Sequence, residues 1–334
     1  MPSSRSEEDT IPSPRDPLRT IMWGGGGVVL AAAVAFRYRV VLPTATLTAG
    51  PFLTLAVVIA GAAVLERLGV LRLLARTLVP DAAPPRTAFV RVLLLAAVLS
   101  GLVNLDVAVV VAMPVAIRVA RRTGIAAGSL AIAVAATANA SSFLLPTSNL
   151  TNLLVMDRAP IGFAAYVGES WIAWIGVVVL AIVGLTLVLG HGEERAEVHE
   201  TEERIKPLTA MLDLIPLFLA ATGLRALLGT GLVLPGGFAE QAGLGSLLAA
   251  GVNNLPAAAA MHALSRSSAW AAVLAMAIGP NLLVTGSLAT VICRSMAREA
   301  GAVLDPVRFS LVGLALTPVL LVTAFVGLRI GRIL

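Results

Sequence analysis

Long apolar runs follow one another along most of the chain, with short polar segments between them. Runs without an internal polar break occupy residues 21–36, 47–65, 171–189, 212–228 and 309–328. A transmembrane helix needs about 20 mostly apolar residues, and these runs come close to that length. The alternating ten-residue pattern of a membrane β-barrel does not occur in them. The pattern therefore predicts an all-α polytopic membrane protein.

Two longer apolar runs are polar near their middle. Residues 88–120 carry Asn104 and Asp106, and residues 240–265 carry Asn253 and Asn254. Non-helical backbone at membrane depth is tolerated only where it is buried in protein or lines a cavity. Each run is therefore predicted to be a re-entrant hairpin that enters the membrane, turns at its polar tip and returns.

Two further runs are interrupted by helix-breaking residues. In residues 129–156 the interruption lies around Pro146, and in residues 269–298 it begins at Gly279-Pro280. Proline removes a helix donor, and nearby hydroxyls and amides can bond the freed backbone groups. Both runs are predicted to be discontinuous helices, and the polar residues at their breaks are Ser148, Asn149, Thr151, Asn281, Thr285 and Ser287.

The order of span, hairpin, broken helix and span occurs twice. An offset of 150 places Asn104 on Asn254, and an offset of 138 places residues 144–150 on residues 282–288. Each unit crosses the membrane an odd number of times, so the two units have opposite topology, as in inverted-repeat secondary transporters. The predicted organisation is a disordered tail (1–20), a first half with an extra helix (21–190), an acidic cytoplasmic linker (191–207) and a second half (208–334).

Composition supports the membrane prediction and excludes other classes. The chain is 58% hydrophobic and 13% charged, whereas soluble domains carry about 25% charged residues. With the N-terminus cytoplasmic, 17 of the 24 cationic side chains fall inside and 7 outside. This bias predicts seven crossings plus the two hairpins, with the C-terminus outside. The net charge of +5 is therefore a topology signal and not a nucleic-acid footprint.

Neither cofactor chemistry nor catalysis is expected. Cys293 is the one cysteine, which excludes a disulfide framework and a cysteine metal site. The sequence shows no His/Cys/Glu metal constellation and no Ser–His pairing, so we expect no metal, no cofactor and no enzyme activity.

Asp106 is the strongest candidate functional residue. A charge at the centre of a membrane helix costs about 2.5–3.5 kcal/mol on insertion scales, so an intramembrane carboxylate is a functional hypothesis by default. It could be a proton-coupling group, because desolvation raises the pKa of a carboxyl group. It could also cap the returning leg of the hairpin, and the two roles do not exclude each other. Asn104, Asn253 and Asn254 could bind solute or close the tips, and the polar residues at the breaks could line a site or satisfy backbone.

Three stretches resemble bacterial arsenite/antimonite efflux permeases, which belong to the ion transporter superfamily with the citrate and dicarboxylate carriers. These stretches are Asn104-Leu-Asp106 with Pro114, Asn253-Asn254-Leu-Pro256, and residues 279–290. Ser148-Asn149-Leu-Thr151-Asn152 resembles the family's first broken helix. The resemblance implies a proton-coupled exporter in the bacterial inner membrane, with the hairpins and broken helices moving against the plain spans. It also implies a homodimer.

Three functions follow from these observations. The leading expectation is proton-coupled export of arsenite or antimonite, because neutral, hydroxylated As(OH)3 suits amides and hydroxyls without a fixed cation. The alternative is a carboxylate (citrate or dicarboxylate) carrier or a sodium-coupled carrier, although no arginine or lysine lies near the four motifs. The third is a non-transporting membrane scaffold or pump subunit. The expected partners are a small oxygen-rich solute, a proton or sodium ion, and the bilayer.

Overall fold

A computed structural model describes residues 17–80, 82–190, 207–228, 232–261 and 265–332. Most of the predicted tail and nearly all of the acidic linker lie outside these ranges. Within them the regular elements are helices, joined by one isolated bridge between Leu232 and Met261. Four helical stretches are long and apolar enough to span a membrane, and they are Trp23–Gly50, Pro85–Leu102, Phe163–Leu189 and Pro306–Gly331. The all-α polytopic fold is confirmed, while the count of seven crossings stays a prediction.

The first two apolar runs lie in α1 (Pro17–Arg67), which consists of two helical segments joined across a kink. The kink is at Arg37, with φ −141° and ψ 32°, where the first run was expected to end. The polar side chains there project outward: Tyr38 is 63% exposed, and its hydroxyl accepts from Arg39 Nε at 2.8 Å. The predicted tail of residues 1–20 also ends earlier, because α1 begins at Pro17, and proline is well suited to the first helical position.

The first half continues with six helices, two of which form the first hairpin. The amphipathic α2 (Val70–Leu78) precedes α3 (Pro85–Leu102) and α4 (Leu105–Thr123), which form the hairpin. Then come α5 (Ala127–Ala140), a short 3-10 turn (Pro146–Ser148) and α6 (Leu150–Met156). We call residues 141–149, between α5 and α6, the first break. The long α7 (Phe163–Leu189) ends this half.

The second half has the same order. Here α8 (Pro207–Leu228) is followed by the second hairpin, α9 (Phe238–Val252) and α10 (Asn254–Ala260). The second broken helix consists of α11 (Arg266–Ile278), 3-10 turns at Gly279–Leu282 and Val284–Gly286, and α12 (Leu288–Glu299). We call residues 279–287 the second break. The last helix is α13 (Pro306–Gly331).

The two breaks have equivalent backbone geometry at an offset of 138. The 3-10 turn Pro146–Ser148 corresponds to Val284–Gly286, and Asn149 and Ser287 are the extended N-caps of α6 and α12. The hairpin tips correspond at 149 instead of the expected 150, because the cap of α4 is Asn104 and the cap of α10 is Asn253. Two adjacent asparagines made the register ambiguous in the sequence, and the cap geometry resolves it.

The plain spans pack as two separate pairs. The most extensive helix contact joins α1 to α8, where a side chain on Gly26 would collide with Pro216 and one on Gly223 with Val29. Helix α7 packs along α13 in the antiparallel sense, and the backbone of α13 at Gly313 lies directly against the second break. Neither pair stands apart from the hairpins and broken helices, because α8 also packs against α10 and α13 packs against the second break.

Candidate functional site

Each hairpin tip is bonded to the break of its own half. The Oδ1 atom of Asn104 accepts from Asp106 N at 2.9 Å, and Asn104 Nδ2 points to Thr147 O at 3.5 Å. The same pair of contacts occurs in the second half, where Asn253 Oδ1 accepts from Leu255 N at 3.2 Å and Nδ2 donates to Thr285 O at 3.0 Å. Both asparagines therefore close a tip and dock it, as an Asx cap with a free amide allows.

The first break is held by its own side chains. Ser148 Oγ donates to Ser142 O at 3.0 Å, Asn149 Nδ2 to Ser142 Oγ at 3.0 Å, and Asn152 Nδ2 to Ser142 O at 2.8 Å. Asn149 also caps α6 by accepting from Thr151 N at 3.1 Å. The freed carbonyls of the interrupted helix thus have donors, as buried backbone requires.

Three fully buried oxygens beside these bonds have no partner in the described ranges. They are Thr137 Oγ1, Thr151 Oγ1 and Asn152 Oδ1. An unsatisfied buried polar group costs about 1–3 kcal/mol. Such groups are unusual in native structures and mark places where a solute or ion could be bonded.

The two breaks are joined through Asn139, at the end of α5. Its Nδ2 donates to Asn281 Oδ1 at 3.0 Å and to Thr290 Oγ1 at 2.9 Å, and its Oδ1 accepts from Ser287 Oγ at 2.8 Å. We call Asn139, Asn281, Ser287 and Thr290 the Asn139 cluster; all four are at most 2% exposed. Asn281 and Ser287 were predicted site residues, and both bond to Asn139 of the first repeat.

Sequence reasoning did not single out Asn139 or Thr290 as site residues. The available signal for Asn139 was its amide in an otherwise apolar run just before a break. The other candidates separate: Asn254 is buried and donates to Met276 O at 3.1 Å, whereas the Thr285 side chain is exposed. Only the Thr285 carbonyl takes part in docking the tip.

Asp106 is not the cap of α4, because Asn104 fills that position. The hydrogen bonds and ion pairs of the described residues leave the Asp106 carboxylate without a partner. The side chain is half-buried and shares a helix face with Val110, Pro114 and Arg118, which are also partly or fully exposed. Pro114 has no N–H, so the Val110 carbonyl on this face loses its helix donor. The capping interpretation of the Asp106 side chain is thereby removed.

The polar groups at both breaks are neutral. Residues 139–152 and 279–290 contain no charged side chain. Arginines of the described ranges donate elsewhere: Arg158 bonds the Ala259 and Met261 carbonyls at the end of α10, and Arg308 bonds Ser129. No group of three or more metal-ligating side chains occurs in the described residues. The site offers amides, hydroxyls and helix ends.

Comparison with known protein families matches residues 20–331 to the citrate transporter family, CitMHS. The chain belongs to the citrate transporter family. The match runs from α1 to the end of α13 and includes both hairpins and both breaks. A comparison with individual curated proteins gave no match.

Membership in the citrate transporter family makes this protein a secondary transporter of the citrate and ion carrier type. It is a multi-pass membrane protein with a small solute as substrate. The resemblance to the ion transporter superfamily is confirmed at this level, and the match is to the citrate carriers. Arsenite export is not shown by it.

Proposed function

We propose that this protein carries a small polycarboxylate of the citrate class across the membrane, coupled to a proton through Asp106. The observation that carries the proposal is the match to the citrate transporter family over residues 20–331. The carboxylate carrier that the sequence left as an alternative therefore replaces arsenite export as the preferred function.

The solute is proposed to bind where the hairpin tips meet the breaks. The candidate residues there are Ser148, Asn149, Thr151, Asn281 and Ser287. The unpaired hydroxyls of Thr137 and Thr151 can donate to a carboxylate, and the unpaired Asn152 Oδ1 can accept from a solute hydroxyl. The 12-residue helix α12 begins at the second break with Ser287 as its cap. A helix N-terminus carries roughly half a positive charge and favours anions, so it can meet a carboxylate without an arginine.

Asp106 is the proposed coupling group because its carboxylate lies at a hairpin tip and is free of partners in the described ranges. Protonation would remove one negative charge from the tip, and re-ionisation would restore it. Sodium is the alternative coupling ion. We also propose the orientation expected from the charge bias, with a cytoplasmic N-terminus, and a bacterial inner-membrane location; a homodimer remains a prediction of the resemblance.

The test is uptake of radiolabelled citrate into proteoliposomes carrying the wild type, Asp106→Asn or Asp305→Asn. Asp305 is a matched control, because it caps α13 through an Arg308 N–H at 2.7 Å, and asparagine can keep that bond. We expect a pH gradient to drive uptake by the wild type and by Asp305→Asn. Asp106→Asn should keep downhill exchange and lose the response to the gradient. Gradient-driven uptake by Asp106→Asn would remove Asp106 from the coupling step.

Arsenite or antimonite export remains the second candidate, and the neutral site favours it. Residues 139–152 and 279–290 offer only uncharged groups, which suit neutral As(OH)3. As(III) uptake into everted vesicles, measured beside citrate uptake, separates the two. Folded protein that moves As(III) and not citrate would overturn the citrate proposal, and folded protein that moves neither solute would overturn both candidates.

A further inference from the structure

An open cavity of about 670 Å³ lies where α7 and α11 begin and α13 ends. Its lining residues are Ala165, Gly168, Glu169, Trp171, Arg266, Gly331 and Arg332. Small-molecule sites typically have volumes of about 300–1,000 Å³, so the size suits a small solute. On the expected topology this end of the molecule faces outward.

The cavity wall is positively charged. Glu169 accepts from Arg266, from Arg332 Nε at 2.9 Å and from Trp270 Nε1 at 2.7 Å. The Glu169 side chain is only 7% exposed, whereas Arg266 and Arg332 are 49% and 32% exposed. One covered carboxylate thus holds two partly exposed cations that line the cavity. Guanidinium groups held in this way are suited to bind carboxylates through paired hydrogen bonds.

Two glycines keep this arrangement open. A side chain at Gly331 would crowd the Glu169 carbonyl, so glycine lets the end of α13 bring Arg332 to Glu169. A Cβ atom at Gly168 would meet nothing within 4 Å, which shows that this position borders free volume. A larger residue at position 168 can therefore fill the cavity and leave all three charges in place.

The same helix connects the cavity to the first break. Ser170 Oγ, one residue after Glu169, donates to Leu144 O at 2.9 Å, and Trp174 Nε1 donates to Ser141 O at 2.8 Å. Leu144 and Ser141 belong to the first break. Glu169, which bonds both arginines, is therefore one residue along α7 from a group that touches the first break.

We propose that this cavity is an anion-binding vestibule, in which Arg266 and Arg332 bind carboxylate groups of the solute on its way to the first break. The identity of the solute rests on the proposed function; the anion site itself rests on the two guanidinium groups and the cavity. The vestibule supplies the full positive charge that the breaks lack.

The test follows citrate binding by the fluorescence of Trp171, which lines the cavity and is 43% exposed. Citrate is titrated into purified full-length wild type, Gly168→Leu, Arg332→Gln and the control Gly27→Leu, and Trp171→Phe identifies the signal. Gly27 is exposed on α1 with nothing within 4 Å of a Cβ atom, so it matches Gly168 far from the cavity. Citrate uptake by the same proteins gives KM and Vmax.

We expect a saturable signal in the wild type and in Gly27→Leu, and no signal in Trp171→Phe. Arg332→Gln and Gly168→Leu should weaken binding about tenfold or more, because a charge-assisted contact or the space for it is lost. KM should rise by a similar factor at unchanged Vmax. Wild-type binding and KM in Gly168→Leu, which keeps every charge, would overturn the vestibule even if Arg332→Gln misfolds.

Two further measurements distinguish a solute site from a lipid site, and binding from transport. Anionic phospholipid headgroups could occupy the same charges, so the titration is repeated in nanodiscs of phosphatidylcholine and of phosphatidylglycerol. A Trp171 signal that follows phosphatidylglycerol and ignores citrate would overturn the assignment to a solute. Citrate binding at Trp171 without uptake by the wild type would reject the proposed transport function and leave the anion site standing.

Discussion

Replacing Asn139 by alanine should test whether the two repeats are held together by the Asn139 cluster. The substitution removes two donated bonds, to Asn281 Oδ1 and Thr290 Oγ1, and one accepted bond from Ser287 Oγ. Thr290 and Ser287 still bond each other at 3.0 Å. The Asn281 Oδ1 atom is left buried without a donor from the cluster.

The expected cost is about 2–4 kcal/mol in the free energy of unfolding. Side-chain hydrogen bonds within a membrane protein average about 0.6 kcal/mol, which sets the lower end for three bonds. A central value of about 1 kcal/mol per bond in soluble proteins, together with about 1 kcal/mol for the unpaired buried acceptor, sets the upper end. Asn139→Asp should cost at least as much, because it keeps the shape and replaces the donor by an acceptor that faces Asn281 Oδ1.

The assay is unfolding in mixed micelles with increasing sodium dodecyl sulfate, followed by tryptophan fluorescence. Ser246→Ala is the matched control, since Ser246 is 2% exposed and its hydroxyl bonds only the Ala242 carbonyl of its own helix. It should cost less than about 1 kcal/mol. A double-mutant cycle of Asn139→Ala with Ser287→Ala should give a coupling energy of about 0.5–1.5 kcal/mol. If Asn139→Ala costs no more than the control and the cycle shows no coupling, the cluster does not join the repeats.

Three further predictions follow from the packing. Gly313→Ala should prevent stable folding, because its Cβ atom would overlap the Asn281 backbone carbonyl. The control Gly61→Ala adds a Cβ atom with nothing within 4 Å, so it should be neutral or stabilising in the same unfolding assay. Asn253→Ala should lower the free energy of unfolding by about 1 kcal/mol more than Asn253→Gly. Both variants lose the same bonds, but glycine adopts the φ of +76° at this position without strain and alanine does not. Equal losses in the two variants would contradict this. Cys293 is fully buried, so maleimide should label it only after denaturation, and fast labelling of folded protein would contradict the packing of α12.

The sequence predicted the hairpins and the broken helices because their signals are local. Pro146 and Gly279-Pro280 interrupt helices by chemistry that acts on the next turn, and the two 3-10 turns follow the predicted offset of 138. The tip register was missed by one residue, since Asn253 and Asn254 have the same side chain. Only the backbone shows that Asn253 is the cap of α10.

Contacts between segments far apart in the chain could not be predicted from the sequence. Asn139 meets Asn281 and Thr290 across 142 and 151 residues. Glu169 meets Arg266 and Arg332 across 97 and 163 residues. No local pattern pairs such residues, because their proximity depends on how whole helices pack.

The charged side chains and the uncharged hydrogen-bonding groups lie on different elements of this structure. This arrangement affects how a polycarboxylate would be bound and transported. The amides and hydroxyls near the breaks are uncharged, and most are bonded to one another, so they can select shape and offer at most the partial charge of a helix end. Full positive charge lies at Arg266 and Arg332, on α11 and just beyond α13. In the described ranges the Asp106 carboxylate, at a hairpin tip, has no bonded partner. If the two proposals hold, anion capture and proton coupling use different residues on different elements. Arg332→Gln should then weaken citrate capture and keep the response to a pH gradient, while Asp106→Asn should do the reverse. The effects of the two substitutions should add in the double variant, as expected for distant sites without shared partners.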